Sequence, residues 1–125
     1  MCMSKPSDPK ISLDQTAFTH LLEVGGTDLL LQLIDSFFKR SVILVETILQ
    51  AMQKKDLESV QFACHTLKTQ ASYLGAHHLH QQTEALELLA RKNAFSELQA
   101  RLPDWEKTYH QSAQLIKEEQ QKYIK

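Results

Sequence analysis

His65 and Lys68 carry the most distinctive chemistry in the sequence. A neutral imidazole is a competent nucleophile near pH 7. A cation three residues along a helix lies near it and can stabilise a dianionic group bonded to the ring. These residue types are the minimum needed to carry a phosphoryl group on histidine. The same pair is also common on solvated helix surfaces, and geometry alone favours that simpler interpretation.

Residues 56–74, which hold this pair, have a clean helical period. Asp56 is suited to be the N-cap, and Gly75 is suited to end the helix. The apolar positions follow steps of three and four, which predicts a core-facing seam: Leu57, Val60, Cys64, Leu67, Ala71 and Leu74. The 3.6-residue geometry then predicts an outer strip. Its members are Gln61, His65, Lys68, Thr69 and Ser72.

The rest of the chain also reads as helices. A capping-box spacing from Ser12 to Gln15 predicts a short helix that runs to about Val24 and ends at Gly25–Gly26. A longer helix is predicted from Thr27–Asp28 to about residue 54, with these residues inward: Leu30, Ile34, Phe37, Ser41, Val45, Ile48 and Met52.

Two more helices follow. One is predicted from about His77 to Lys92, with an inward stripe of Leu79, Thr83, Leu86 and Ala90. The last stripe keeps its phase through Pro103, which predicts one helix kinked at that proline. Its members are Phe95, Leu98, Leu102, Trp105, Tyr109, Ala113, Ile116 and Tyr123. The charged run 117–122 is predicted to be an exposed helix end.

Together these segments predict an all-α fold, an antiparallel up-down four-helix bundle with a short extra N-terminal helix. The length of 125 residues favours one domain, at 11–125, after a disordered polar tail at 1–10. Because the chain begins with Met and contains no kinase or receiver segments, a free-standing module is expected. A domain excised from a hybrid kinase would show the same features.

Composition excludes several function classes. The net charge of -1 disfavours a nucleic-acid binder, and no apolar run approaches the roughly 18 residues of a membrane span. Three scattered glycines build no phosphate-cradling loop, and the two cysteines suggest neither a disulfide framework nor a metal site. No secretory signal precedes the helices, so the cytoplasm is the expected compartment.

Several short motifs, in the order in which they occur along the chain, resemble those of one protein family. Ala63-Cys64-His65-Thr66-Leu67-Lys68, then Leu74-Gly75-Ala76, Leu79 and Leu86-Glu87 are similar to the signature of histidine-containing phosphotransfer (HPt) domains. The resemblance covers roughly residues 13–120. It implies a phosphorelay protein without autonomous kinase activity. Such a protein accepts a phosphoryl group from the aspartate of one receiver domain, that of a hybrid sensor kinase, and passes it to the receiver of a response regulator.

The resemblance also implies roles for single residues. His65 corresponds to the phosphoryl-accepting histidine, through the ring nitrogen far from the backbone, and Lys68 to the lysine that stabilises the phosphoryl group. Thr69 departs from the family preference for Gly or Ser, and Thr83 stands where Cys is frequent. No cofactor is implied, because the receiver supplies Mg²⁺. The protein is expected to be a monomer.

Several alternatives stay open. Gln61, Thr69 and Ser72, with Phe38 and Val42 beside the inward stripe of the longer helix, are candidates for partner docking, although looser core packing explains the last two nearly as well. A helical adaptor or dimerisation module that keeps the HPt fold without using its histidine is the second function class. A zinc site at residues 77–80 is disfavoured, because only two of its three histidines share a helix face.

Overall fold

The computed structural model describes residues 11–124, so the predicted tail at 1–10 lies outside the described residues. Within that range the chain forms four helices and no strand. They are α1 (Gln15–Gln53), α2 (Leu57–Tyr73), α3 (His77–Arg91) and α4 (Phe95–Gln121). Each helix packs against the one that follows it, and α1 also contacts α4, which closes the bundle. The prediction of an all-α four-helix bundle is confirmed.

The predicted short N-terminal helix is the first part of α1. Gly26 has φ 70° and ψ −168°, which is not helical, and it kinks α1 between residues 15–25 and 27–53. The left-handed φ favours glycine, which has no Cβ to clash with the backbone. The kink lies within the Gly25–Gly26 pair that was expected to separate two helices.

The predicted N-cap of this first segment is wrong. Asp14, not Ser12, caps α1: its Oδ1 accepts hydrogen bonds from the backbone N–H and the hydroxyl of Thr16, at 3.0 Å and 2.6 Å. The backbone N–H of Asp14 donates to the carbonyl of Gly75 at 2.9 Å. This bond ties residue 14 to the α2–α3 turn in an extended conformation, so the helix begins only after it.

The core matches the inward stripes predicted for α1, α2 and α3, and the stripe of α4 is half buried and half partly buried. Its partly buried members are Phe95, Leu102, Ala113 and Tyr123. On α1 all seven predicted residues are buried, and on α2 every seam residue after the half-buried Leu57 is buried. On α3, buried Thr83 accepts a hydrogen bond from the indole N–H of Trp105 at 2.9 Å, which joins α3 to α4. Ser41 and Tyr109 form a buried hydroxyl pair at 2.8 Å, which joins α1 to α4.

α4 continues through Pro103, as its unbroken stripe predicted. Its C-terminal end differs from the prediction, because Glu119 in the charged run is only 5% exposed. Lys122 donates to this carboxylate at 3.1 Å, and Gln15 of α1 donates to it at 3.4 Å. No helix within residues 11–124 is both long and apolar enough to cross a membrane.

Candidate functional site

α2 places His65 on the surface because its apolar seam faces the core. Cys64 and Leu67, on either side of the histidine in sequence, are fully buried. The His65 side chain is 65% exposed. The helix starts where predicted, with the Asp56 side chain accepting the N–H of Ser59 at 3.2 Å. The exposure predicted for His65 is therefore observed.

Glu87 of α3 lies behind the imidazole, and its carboxylate is nearly buried, at 3% exposure of the residue. Its Oε2 lies 3.0 Å from His65 Nδ1, and its Oε1 lies 2.6 Å from Lys68 Nζ. Arg91 Nη2, one turn along α3, donates to Oε2 at 3.3 Å. One buried carboxylate thus contacts three basic side chains.

The electrostatics of this cluster favour an ionised carboxylate. Burial raises the pKa of Glu87. Hydrogen bonds from Lys68 and His65, together with the nearby lysine charge, lower it by a larger amount, so the pKa of Glu87 is below its usual value. An ionised carboxylate only accepts hydrogen bonds. His65 must therefore donate through Nδ1–H, so in the neutral ring the lone pair lies on Nε2.

Lys68 is held more firmly than a solvated lysine. Its side chain is 18% exposed, and Nζ also lies 3.6 Å from Glu84 Oε2. The pKa of Lys68 is raised, chiefly by the hydrogen bond to Glu87. The lysine is therefore a fixed cation, paired with two carboxylates of α3.

An open concavity of about 360 Å³ lies in front of His65. It is lined by Glu58, Gln61, Phe62, His65, Glu87 and Arg91. The Phe62 side chain is the most conspicuous of these, because the residue is 76% exposed although large and apolar. Exposed aromatic rings are common at protein–protein contacts, so Phe62 is a candidate anchor for a partner that approaches His65.

The other predicted docking residues lie at different distances from this concavity. Thr69 and Ser72 are exposed further along α2, and Thr69 Oγ1 donates to the His65 carbonyl at 3.1 Å. Phe38 is half-buried against the core, with its ring 5.6 Å from that of Phe37, and Val42 is 58% exposed. Neither of these two α1 residues lines the concavity.

Sequence reasoning gave no role to Glu87, Arg91 or Phe62. The hairpin of α2 and α3 contains a usable signal for the first. Residues roughly equidistant from the turn at Gly75 face each other in antiparallel helices, and His65 and Glu87 are separated from it by similar numbers of residues. Arg91 follows one helical turn later on the same side.

The described residues do not support the metal-site alternative. Within residues 11–124 no group of three or more His, Cys, Asp or Glu side chains could hold a metal ion. His77 Nε2 lies 2.9 Å from Asp14 Oδ2, and His80 Nδ1 donates to the Lys68 carbonyl at 3.0 Å. Burial raises the pKa of Cys64 to about 12, so this buried thiol is protonated and uncharged at neutral pH.

Comparison with known proteins gives consistent results. The sequence model of the Hpt domain matches residues 32–121. Among solved structures, histidine-containing phosphotransfer protein B (HptB) from Pseudomonas aeruginosa PAO1 is similar to this chain, with a TM-score of 0.82 and 26% sequence identity. The alignment covers 90% of this chain and 96% of that one. A search of curated protein sequences returned no match.

Proposed function

This chain belongs to the Hpt domain family and is a histidine phosphotransfer protein of a phosphorelay, and we propose that His65 is the residue that carries its phosphoryl group. The observation that supports this assignment is the orientation of the ring. Nδ1 is anchored on the buried, ionised Glu87, which leaves the Nε2 lone pair for the exposed side of α2. A nucleophile held in this way is ready for a partner protein that approaches from solvent.

The transfer step requires no proton acceptor from solution. The Nε2 lone pair attacks phosphorus in the aspartyl phosphate of a receiver domain, so that a P–N bond forms and the P–O bond to the aspartyl group breaks. The electrons of the broken bond leave with the aspartate, which becomes a carboxylate. The imidazole becomes a phosphoimidazolium, and its Nδ1–H remains hydrogen-bonded to Glu87. In the reverse reaction, a carboxylate oxygen of a second receiver aspartate attacks phosphorus, so that a P–O bond forms and the P–N bond breaks.

Lys68 has a supporting role in this proposal. It stabilises the carboxylate that anchors the ring, and its charge lowers the free energy of a dianionic group nearby. We expect Mg²⁺ and most catalytic groups to come from the receiver, and we expect the chain to be a phosphocarrier without kinase activity of its own. We expect the protein to act as a monomer in the cytoplasm.

The docking surface surrounds His65. Gln61, Thr69 and Ser72 extend along α2, and Phe62 adds an exposed apolar ring next to the nucleophile. Phe38 and Val42 would form a second, more distant part of this surface on α1. The Thr69 hydroxyl already donates to the backbone of its own helix, so we expect this residue to affect docking through its bulk.

Phosphotransfer from a labelled receiver tests the assignment. The parent protein is incubated with a ³²P-phosphorylated receiver, and we expect acid-labile, base-stable label on it. His65→Gln should remove the label with little change in the melting temperature, because the side chain is exposed and the glutamine amide can still donate to Glu87. His20→Gln, at an exposed histidine of α1, is the matched control and should be labelled like the parent.

Two results would contradict the proposal. Label that persists in His65→Gln would assign the acceptor to another residue. A parent protein that takes no label from any receiver encoded in the same genome would favour the helical adaptor instead.

A further inference from the structure

Two cations contact the Glu87 carboxylate, and they differ in how firmly they are held. Lys68 is 18% exposed in its side chain and lies between Glu87 Oε1, at 2.6 Å, and Glu84 Oε2, at 3.6 Å. Arg91 is 56% exposed in its side chain and contacts Glu87 through one nitrogen at 3.3 Å. The lysine charge is balanced by two carboxylates at close range, whereas the guanidinium extends from a single longer contact into solvent.

Arg91 is also close to the imidazole. Its Nη2 and His65 Nδ1 both contact the same oxygen, Glu87 Oε2, at 3.3 Å and 3.0 Å, so the two nitrogens cannot be more than about 6 Å apart. Both side chains line the concavity in front of α2. The arginine side chain is long and 56% exposed, so its guanidinium is free to take other rotamers within the concavity that it shares with the ring.

Phosphorylation changes the charge balance of this cluster. The two acids, Glu84 and Glu87, and the two cations, Lys68 and Arg91, sum to zero beside a neutral imidazole. The bonded phosphoryl group carries close to two negative charges at neutral pH on three strong acceptor oxygens. Because the ring becomes positively charged in the same step, the cluster as a whole gains about one negative charge. A planar guanidinium binds such a group through two parallel hydrogen bonds, which a single contact to a carboxylate does not provide.

We propose that Arg91 is a second phosphoryl-binding residue, which pairs with Glu87 while His65 is unmodified and moves to the phosphoryl oxygens when His65 is phosphorylated. The inference rests on the proposed role of His65 as the acceptor. Glu87 keeps Lys68 and the Nδ1–H of the ring in both states. The exchange costs little, because the bond that Arg91 gives up is its long contact to a carboxylate that retains two other donors.

The test uses the phosphorylated protein and three variants, Arg91→Gln, Arg91→Lys and Lys92→Gln. Lys92 is the matched control, because it is the next residue in the chain, is exposed and lines no part of the concavity. Two quantities are measured: the equilibrium ratio of phosphorylated protein to phosphorylated receiver, and the pKa of the phosphoryl group by ³¹P NMR titration.

We expect Arg91→Gln to lower the equilibrium ratio about threefold to tenfold and to raise the phosphoryl pKa, because an exposed charge-assisted pair is lost. Arg91→Lys should lie between Arg91→Gln and the parent, since it keeps the charge and loses the fork. Lys92→Gln should match the parent in both quantities.

Three outcomes would overturn the inference. In the first, the parent is phosphorylated on His65 but Arg91→Gln and Lys92→Gln give the same ratio and the same phosphoryl pKa. In the second, Arg91→Gln shifts the imidazole ¹⁵N resonances of the unphosphorylated protein while leaving the phosphoryl pKa unchanged, which would mean that the arginine acts only through Glu87. Failure to label the parent at all would instead refute the proposed function, and this inference with it.

Discussion

A single carboxylate determines which nitrogen of His65 is left for the solvent side. Glu87 is 3% exposed, and its lowered pKa keeps it ionised at neutral pH, so it fixes Nδ1 as the donor. In the proposed phosphorylated state the ring is positively charged, so the same hydrogen bond joins two charged groups and strengthens. We therefore expect Glu87 to position the ring and to stabilise the phosphorylated state.

We expect Glu87→Gln to slow phosphoryl transfer to His65 by about 10–100-fold, because a hydrogen bond to a charged group contributes about 1.5–3 kcal/mol. Glutamine has nearly the same shape and its amide oxygen can still accept from Nδ1–H, so the ring should keep its tautomer while losing the charge that stabilises the imidazolium. Transfer rates from one phosphorylated receiver measure the effect, and imidazole ¹⁵N shifts check the tautomer.

Glu84→Gln provides the control for this prediction. Glu84 also lies near Lys68, at 3.6 Å, but it has no contact with His65 among those observed, and its side chain is 58% exposed. We expect this variant to transfer at close to the parent rate. Equal rate losses in both variants would show that Lys68, and not the anchoring of the ring, explains the effect of Glu87.

The difference between predicted and observed site residues has a physical cause. The exposure of His65 follows from the period of its own helix, which the sequence displays directly. The contacts of Glu87 and Arg91 depend on how α3 packs against α2, including the rotation of each helix about its axis. Periodicity does not determine that rotation to within one residue, so neither residue was given a role.

At the scale of secondary structure, the α2–α3 turn supports the start of α1. Gly75 has φ +70°, and a Cβ at this position would lie 2.6 Å from the carbonyl oxygen of Asp14 and 3.0 Å from its nitrogen. Glycine is required here for two reasons, the left-handed backbone and the close approach of another chain segment. The Leu-Gly-Ala motif therefore contributes to the bundle by letting the N-terminal segment pack on the turn.

We expect Gly75→Ala to destabilise the protein by about 2–4 kcal/mol, the sum of left-handed strain and displacement of the Asp14 backbone. Gly26→Ala is the matched control, because Gly26 has the same φ of +70° but nothing within 4 Å of its added Cβ. Gly26 combines this φ with ψ −168°, a backbone region that is almost exclusive to glycine, so that variant should lose about 1–3 kcal/mol from strain alone. Urea denaturation of both variants measures the difference in the free energy of unfolding. Equal losses would mean that the Asp14 backbone moves away from the added Cβ without destabilising the protein.

The ends of the helices were less predictable than their inward faces. Every predicted inward residue of the longer part of α1 is buried, because six apolar residues and Ser41 repeat at helical spacing along a single face. The start of α1 was misassigned to Ser12, because a capping-box spacing is a local signal. The hydrogen bond from Asp14 to Gly75, which sets the true start, joins residues 61 positions apart in sequence.

At the scale of the whole molecule, the start of α1 contacts two helices that are distant in sequence, α3 and α4. Asp14 contacts His77 at the start of α3, with Oδ2 2.9 Å from Nε2. Gln15 donates to the buried Glu119 near the end of α4, at 3.4 Å. A period within one helix carries no information about such contacts. The burial of Glu119, in a run that looks solvated, could not be predicted for the same reason.

The hydrogen bonds that Asp14 accepts from Thr16 and from His77 predict a defined pH dependence of stability. Hydrogen bonds from the Thr16 side chain, from His77 and from the Thr16 backbone lower the pKa of Asp14 from 3.8 to about 2. A carboxyl whose pKa is lower in the folded state stabilises the fold at pH values above its unfolded pKa, and this contribution is lost as the pH falls through the folded value. The stabilisation by Asp14 should therefore be complete above about pH 5 and disappear between about pH 4 and pH 2.

Asp14→Asn isolates this contribution, because asparagine still caps a helix but carries no charge. We expect the variant to unfold at lower urea than the parent at pH 6, and the two midpoints to converge as the pH approaches 2. Asp56→Asn is the control: Asp56 caps α2 in the same way and its pKa is also lowered, chiefly by Ser59, but no histidine is among the causes. Its difference from the parent should be smaller at pH 6. A midpoint difference for Asp14→Asn that stayed constant from pH 6 to pH 2 would contradict the assignment of the effect to the ionised carboxylate.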